Sequence, residues 1–255
     1  MPALLQADAL EVHFGGLRAV NEVSFDVGAG ELLGLIGPNG AGKTSCLKAI
    51  SGQGPLHGGQ VAFAGRQIGA LPVHRRVMLG IGITHQIVRP LRSLTVLDNV
   101  AFAWGHRHRA SLLAAAVHVQ RTEARTAARA ILERLDIAEF AERAAGEVPL
   151  GVRKRVEVAR ALALEPRLLL LDEPLAGLNS AEASRLADLI RGLADGGLAV
   201  LLIEHNLGEV MRMCDRLVVL DAGRKIADGE PRALMSDPAV VRAYLGEEID
   251  DARAG

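Results

Sequence analysis

Two kinds of hydrophobic pattern alternate along the chain. Near the start, Leu10–Phe14 (LEVHF) and Val23–Val27 (VSFDV) alternate apolar and polar residues and are broken by glycine. That pattern predicts strands of a small antiparallel sheet. From Glu31, ELLGLIG is a continuous apolar run closed by glycine, as expected of a parallel strand buried on both faces. The same continuous pattern returns at Leu168–Pro174 (LLLLDEP) and at Leu198–His205 (LAVLLIEH). Lys43–Ser51 reads as a helix, Gly52–Gly59 as a loop, and QVAFAGRQI, from Gln60, as strand. Ala181–Ala194 and Leu207–Met213 read as further helices, and RLVVLDAGRKIADG, from Arg216, as a hairpin.

The middle of the chain differs. Leu94–Trp104, Ser111–Gln120 and Thr122–Leu135 are rich in Ala, Leu and Arg and read as helices. In the last of these, Ala124, Ala127, Ala128, Ile131, Leu132 and Leu135 share one face. The expected organisation is one α/β domain over residues 1–255, with a helical subdomain inserted at 91–165. The tail from Asp250 reads as frayed.

Composition narrows the picture. Of 255 residues, 49% are hydrophobic but only 3% aromatic, so the core is built from Leu, Val, Ile and Ala. With 29 Lys+Arg against 30 Asp+Glu, the balance argues against a broadly basic nucleic-acid binder. Cys46 and Cys214 are too few for a disulfide framework and read as small core residues in a reducing compartment. No basic-then-apolar leader opens the chain, and no stretch approaches the roughly 18–20 apolar residues of a spanning helix. The expectation is a cytoplasmic chain that docks on a membrane protein. Two charged runs, His106–Arg109 (HRHR) and Arg153–Arg155 (RKR), read as a solvated turn and a solvated helix face.

The chemistry sits in three places. GPNGAGKT, Gly37–Thr44, fits G-x-x-x-x-G-K-[ST] between a buried strand and a helix, the context a phosphate loop requires. Gly37, Pro38, Asn39, Gly40, Ala41 and Gly42 wrap the backbone round an anion, and N–H groups at a helix N-terminus point at it. Lys43 reaches the β- and γ-phosphates, Thr44 places its hydroxyl on Mg²⁺, and Ser45 bonds the α-phosphate. LLLLDE then delivers Asp172 and Glu173 at the C-terminal end of a parallel strand, where ligands bind. Asp172 is the Mg²⁺ carboxylate and Glu173 the general base for water. His205 follows one strand later and is positioned to contact the γ-phosphate.

Together these motifs resemble the ATP-binding subunit of ATP-binding-cassette (ABC) transporters, over about residues 4–246. FGGLRAV, GPNGAGKT, LDEPLAGLN and AYLGE resemble the branch that serves branched-chain amino acid importers. The resemblance implies a P-loop NTPase with a RecA-like parallel core, an N-terminal antiparallel β subdomain and an inserted helical subdomain. It implies ATP and Mg²⁺ as ligands, polytopic permease subunits as partners, and a peripheral place on the cytoplasmic face of the membrane. It makes Phe14 the candidate to stack on adenine, against an alternative of core packing. It makes Gln86, in GITHQIVRPLRSLTV, a Mg²⁺-site residue linking the γ-phosphate to the membrane subunits. LAGLN, Leu175–Asn179, is the loop that crosses the dimer interface.

One segment departs from the family. Where LSGGQ is expected, the chain has VPLGV, Val148–Val152, and only Gly151 matches. In the family this segment caps the partner's ATP with a Ser hydroxyl and backbone N–H groups. Pro149 offers neither. The implied arrangement is a heterodimer with a second, signature-bearing ATPase. The alternatives are a lipid or lipopolysaccharide exporter subunit, a cassette acting on nucleic acid, and a P-loop kinase. The first shares the single-cassette plan. The second lacks coiled-coil insertions here, and the third does not fit DEP, the glutamine loop and the late His.

Overall fold

A computed structural model describes residues 3–84, 91–108, 117–234 and 236–243. β1 (Leu5–Phe14), β2 (Leu17–Val27), β4 (Gly58–Phe63) and β5 (Arg66–Gln67) form an antiparallel sheet in the order β2-β1-β4-β5. A second sheet holds β3 (Leu32–Ile36), β6 (Ile81–Ile83), β7 (Leu168–Asp172), β8 (Ala199–Ile203), β9 (Arg216–Asp221) and β10 (Arg224–Gly229). Its order is β10-β9-β3-β8-β7-β6, parallel throughout except for the β9–β10 hairpin.

Every residue of β3, β7 and β8 is buried, because the parallel sheet is covered on both faces. Successive side chains go to opposite layers. Leu33, Leu35, Leu168, Leu170, Leu201 and Ile203 pack with the antiparallel sheet and with α1 (Lys43–Ser51). Leu32, Ile36, Leu169, Leu171, Val200 and Leu202 pack on the helical side. That side contains α3 (Val96–His108), α4 (Val117–Arg134), α5 (Leu150–Leu162) and α6 (Ser180–Asp195). α2 (Val73–Met78), α7 (Leu207–Met213) and α8 (Pro231–Leu234) complete the described helices. Among the described residues no helix is long and apolar enough to cross a membrane.

Several expectations change. The first two strands are longer than their alternating cores, and QVAFAGRQI folds as two short strands round Ala64–Gly65. The break expected before Thr122 is absent: α4 runs unbroken from Val117, while 111–116 lie outside the described residues. Its apolar face is inward, with Ala124, Ala128, Leu132 and Leu135 buried. His106 and Arg107 are in the last turn of α3 rather than in a loop, and Arg107 donates to the Met78 carbonyl at 2.8 Å. The tail from Asp250 lies outside the described residues.

Arg76 holds α1 in place. Its buried guanidinium donates to the carbonyls of Ala49 and Ile50, at the end of α1, and to those of Leu71 and Gly69. A cation at a helix C-terminus satisfies orphan carbonyls and opposes the negative end of the dipole.

Candidate active site

The loop between β3 and α1 is shaped by backbone from both ends of the chain. Gly37 (φ 143°) lies so close to β9 that a Cβ there would stand 2.0 Å from the Leu220 carbonyl oxygen. A Cβ on Gly42 (φ 101°) would stand 2.4 Å from the Ala19 carbonyl oxygen of β2. Only glycine fits either position. The Gly223 N–H donates to Ala41 O at 3.1 Å, and the Asn21 N–H donates to Gly223 O at 2.8 Å, closing the cradle. Asn39 and Gly40 stand exposed at its tip, with Pro38 and Ala41 at its flanks. α1 has no acidic residue in its first turn and no side-chain cap, so its positive end faces the loop. Lys43 folds back over that loop and donates from Nζ to Gly37 O at 2.6 Å and to Pro38 O at 2.8 Å. Ser45 lies half-buried on α1.

β7 ends opposite. The Thr44 hydroxyl lies beside the carboxylate of Asp172, which is only 6% exposed. Burial, and then the negative charge of Glu173, push the Asp172 carboxyl above its usual range; Lys48, Thr44 and Lys43 pull the other way. Asp172 Oδ1 is buried and has no hydrogen-bond partner among the described residues. An unpartnered buried carboxylate oxygen beside a hydroxyl is a hard donor set, and it suits Mg²⁺.

Glu173 has φ 50°, in the left-handed region. A β-carbon there costs roughly 1–2 kcal/mol, and the following Pro174 disfavours helical backbone as well. The turn persists because neighbouring groups fix it: Glu173 N–H donates to Ile203 O at 2.9 Å, and Lys154 Nζ donates to Glu173 O at 3.0 Å. Hydrogen bonds from a charged donor contribute about 1.5–3 kcal/mol, enough to offset the strain. The turn carries Glu173 Oε2 to 3.4 Å from Nε2 of His205, which follows β8 and is half-exposed.

The structure therefore brings Lys43, Thr44, Asp172, Glu173 and His205 to one end of the parallel sheet. Phe14 stands at the β1–β2 turn, 53% exposed, which removes the core-packing alternative. Gln86 lies outside the described residues. Cys46 and Cys214 are buried and unpaired, as expected of core residues, and burial pushes each thiol up to about 12.

Lys154, Arg155 and Glu204 are among the charged residues that escape the sequence pattern. Lys154 and Arg155, which read as a solvated face, are both buried. The reason is that their acceptors are backbone carbonyls of distant turns, Glu173 for Lys154 and Asp136 for Arg155. Glu204 is buried and accepts the N–H groups of Leu175 and His205; its signal is an acid directly after an apolar strand, eclipsed by the His beside it.

The VPLGV segment starts α5. Pro149 is the N-cap, with no side-chain cap bond, and α5 has no acidic residue in its first turn. Leu150 packs against Gly177 of the LAGLN loop.

The chain is similar to known proteins. The family model described as "ABC transporter" matches residues 20–176, and that described as "Branched-chain amino acid ATP-binding cassette transporter" matches residues 224–250. The chain is 39% identical to the high-affinity branched-chain amino acid transport ATP-binding protein BraF of Pseudomonas aeruginosa, covering 96% of this chain and 98% of that protein. It is 34% identical to the lipopolysaccharide export system ATP-binding protein LptB of Haemophilus influenzae, over 97% of this chain and 99% of that one. The crystal structure of the ADP conformation of MJ1267, an ATP-binding cassette of an ABC transporter, superposes with a TM-score of 0.84 at 30% identity, covering 97% of this chain and 100% of that one.

Proposed function

The chain belongs to the ABC transporter family as an ATP-hydrolysing cassette, and from that premise we propose that it is one of two unlike ATPase subunits of a branched-chain amino acid importer. It works against polytopic permease subunits, on the cytoplasmic face of the membrane. The observation that carries the catalytic reading is the Glu173–His205 pair at 3.4 Å beside the buried, unpartnered Asp172 oxygen, with Lys43 folded over the loop.

In this reading Lys43 exchanges its loop carbonyls for the β- and γ-phosphates, and Ser45 bonds the α-phosphate. Phe14 stacks on adenine, a contact that supplies affinity with little base discrimination. Glu173 accepts a proton from the attacking water, and His205 orients the γ-phosphate end. Thr44 and Asp172, with Gln86, would hold Mg²⁺, which neutralises charge on the phosphates. Catalysis is positioning and charge stabilisation, without covalent chemistry by the protein.

The importer assignment draws on BraF and on the match at residues 224–250. The unlike-subunit assignment draws on Pro149, which offers neither a hydroxyl nor an N–H at the start of α5. The test is affinity purification of the chain from solubilised native membranes. Two polytopic proteins and a second ATPase with an intact signature are expected. A homodimer with lipid-export components would overturn the importer reading and favour the role named for LptB.

A further inference from the structure

We propose that Lys154 and Glu204 are positioning residues for ATP hydrolysis, holding the strained turn after β7 so that Glu173 stays in register with His205. The proposal rests on the reading of Glu173 as general base.

One carboxylate ties together the exits of two strands. Glu204 Oε1 accepts the Leu175 N–H at 2.6 Å, from the loop that follows Glu173. Its Oε2 accepts the N–H of His205 itself at 3.2 Å. From the other side, Lys154 reaches out of α5 to the Glu173 carbonyl at 3.0 Å. The turn is thus gripped at its N–H by Ile203 O, at its carbonyl by Lys154, and just beyond by Glu204.

Both side chains are buried, Lys154 to 6% exposure and Glu204 to 1%. A charge is not buried without compensation. Lys154 sits in the field of Glu157, Glu204, Glu173 and Asp172, which opposes the effect of burial on its ammonium. Neither side chain donates to or accepts from the phosphate loop in the bonds described above. If Lys154 is replaced by a side chain without an amine, the Glu173 carbonyl loses its donor and the φ 50° turn relaxes toward the extended backbone that a residue before proline prefers. The Glu173 carboxylate then leaves His205, while the nucleotide cradle is untouched.

The signature is a split between turnover and binding. In the full-length chain, Lys154→Met and Glu204→Gln are each expected to lower kcat by about tenfold or more, with affinity for a non-hydrolysable ATP analogue within about twofold of wild type. Lys154→Arg, which keeps a cationic donor, is expected to recover most of the rate. In a Glu173→Gln background, adding Lys154→Met is expected to lower the residual rate no further, because the residues act as a unit. Wild-type kcat in both Lys154→Met and Glu204→Gln, with Glu173→Gln inactive, overturns the positioning role and leaves the base intact. Full turnover in Glu173→Gln overturns the base itself. Equal losses of affinity and rate, without rescue by arginine, assign Lys154 to folding alone and also overturn the proposal. If Lys154→Met does not fold, Glu204→Gln carries the same test.

Discussion

The chain runs into the first turn of α1 through Gly40 and Gly42, both at positive φ, and into the first turn of α5 through Pro149, at φ −55° and ψ 159°. Neither helix has an acidic residue of its own in its first turn or a side-chain cap, though the Glu182 carboxylate of α6 lies against Gly151 at the start of α5. The loops before them differ. Glycines let the chain double back so that successive N–H groups converge on an anion. Proline starts a helix well but removes a donor and fixes the backbone. Helix geometry and side-chain recognition are therefore separable properties: α5 keeps the first, while position 149 offers neither hydroxyl nor N–H for the second. Each charge-assisted bond so lost is worth about 1.5–3 kcal/mol.

Breaking the glycine loop before α1 has the largest expected effect. Gly37→Ala drives a methyl into the Leu220 carbonyl, a backbone clash without room to relax. We expect a fall in melting temperature of roughly 10 °C or more, with loss of nucleotide binding. Cys46, buried on α1, is expected to resist thiol reagents in the wild type and to react in this variant. Next, Lys43→Ala removes the cation and leaves the loop glycines in place; calorimetry is expected to give ATP affinity weakened roughly ten- to hundredfold. Unchanged affinity would mean that the backbone alone holds the phosphates.

Repairing the proline-led start of α5 sharpens the contrast. Pro149→Ser, Leu150→Gly and Val152→Gln together are expected to raise the ATPase rate of the chain alone by about tenfold, the value of one recovered phosphate contact. No change would mean that α5 does not act on a second nucleotide. The smallest effect is expected at Gly40→Ala. A Cβ there meets nothing within 4 Å, so only its φ of 77° is strained. The loss is about 1–2 kcal/mol, or a few degrees of melting temperature.

Much of this is readable from the sequence where a residue's role is local. The buried strands β3, β7 and β8 announce themselves as continuous apolar runs, α7 has the limits its pattern predicts, and GPNGAGKT carries its own context. What stays hidden depends on distant partners. α2 and β6 are too short to leave a periodicity. Lys154 and Arg155 look like surface charge until the carbonyls of Glu173 and Asp136 arrive beside them. Phe14 has two readings in the sequence because exposure at the end of a hairpin is a tertiary property.

The closure of the cradle by Ala19, Leu220 and Gly223 also fixes an order in time. A chain leaving the ribosome has made its entire phosphate-loop sequence by Thr44, yet the carbonyl that crowds Gly37 and the N–H that holds Ala41, at Leu220 and Gly223, are synthesised much later. Contacts of such long sequence separation form late. Nucleotide competence arrives with the β9–β10 hairpin, so a chain that binds ATP has already folded Leu220 and Gly223 against its phosphate loop.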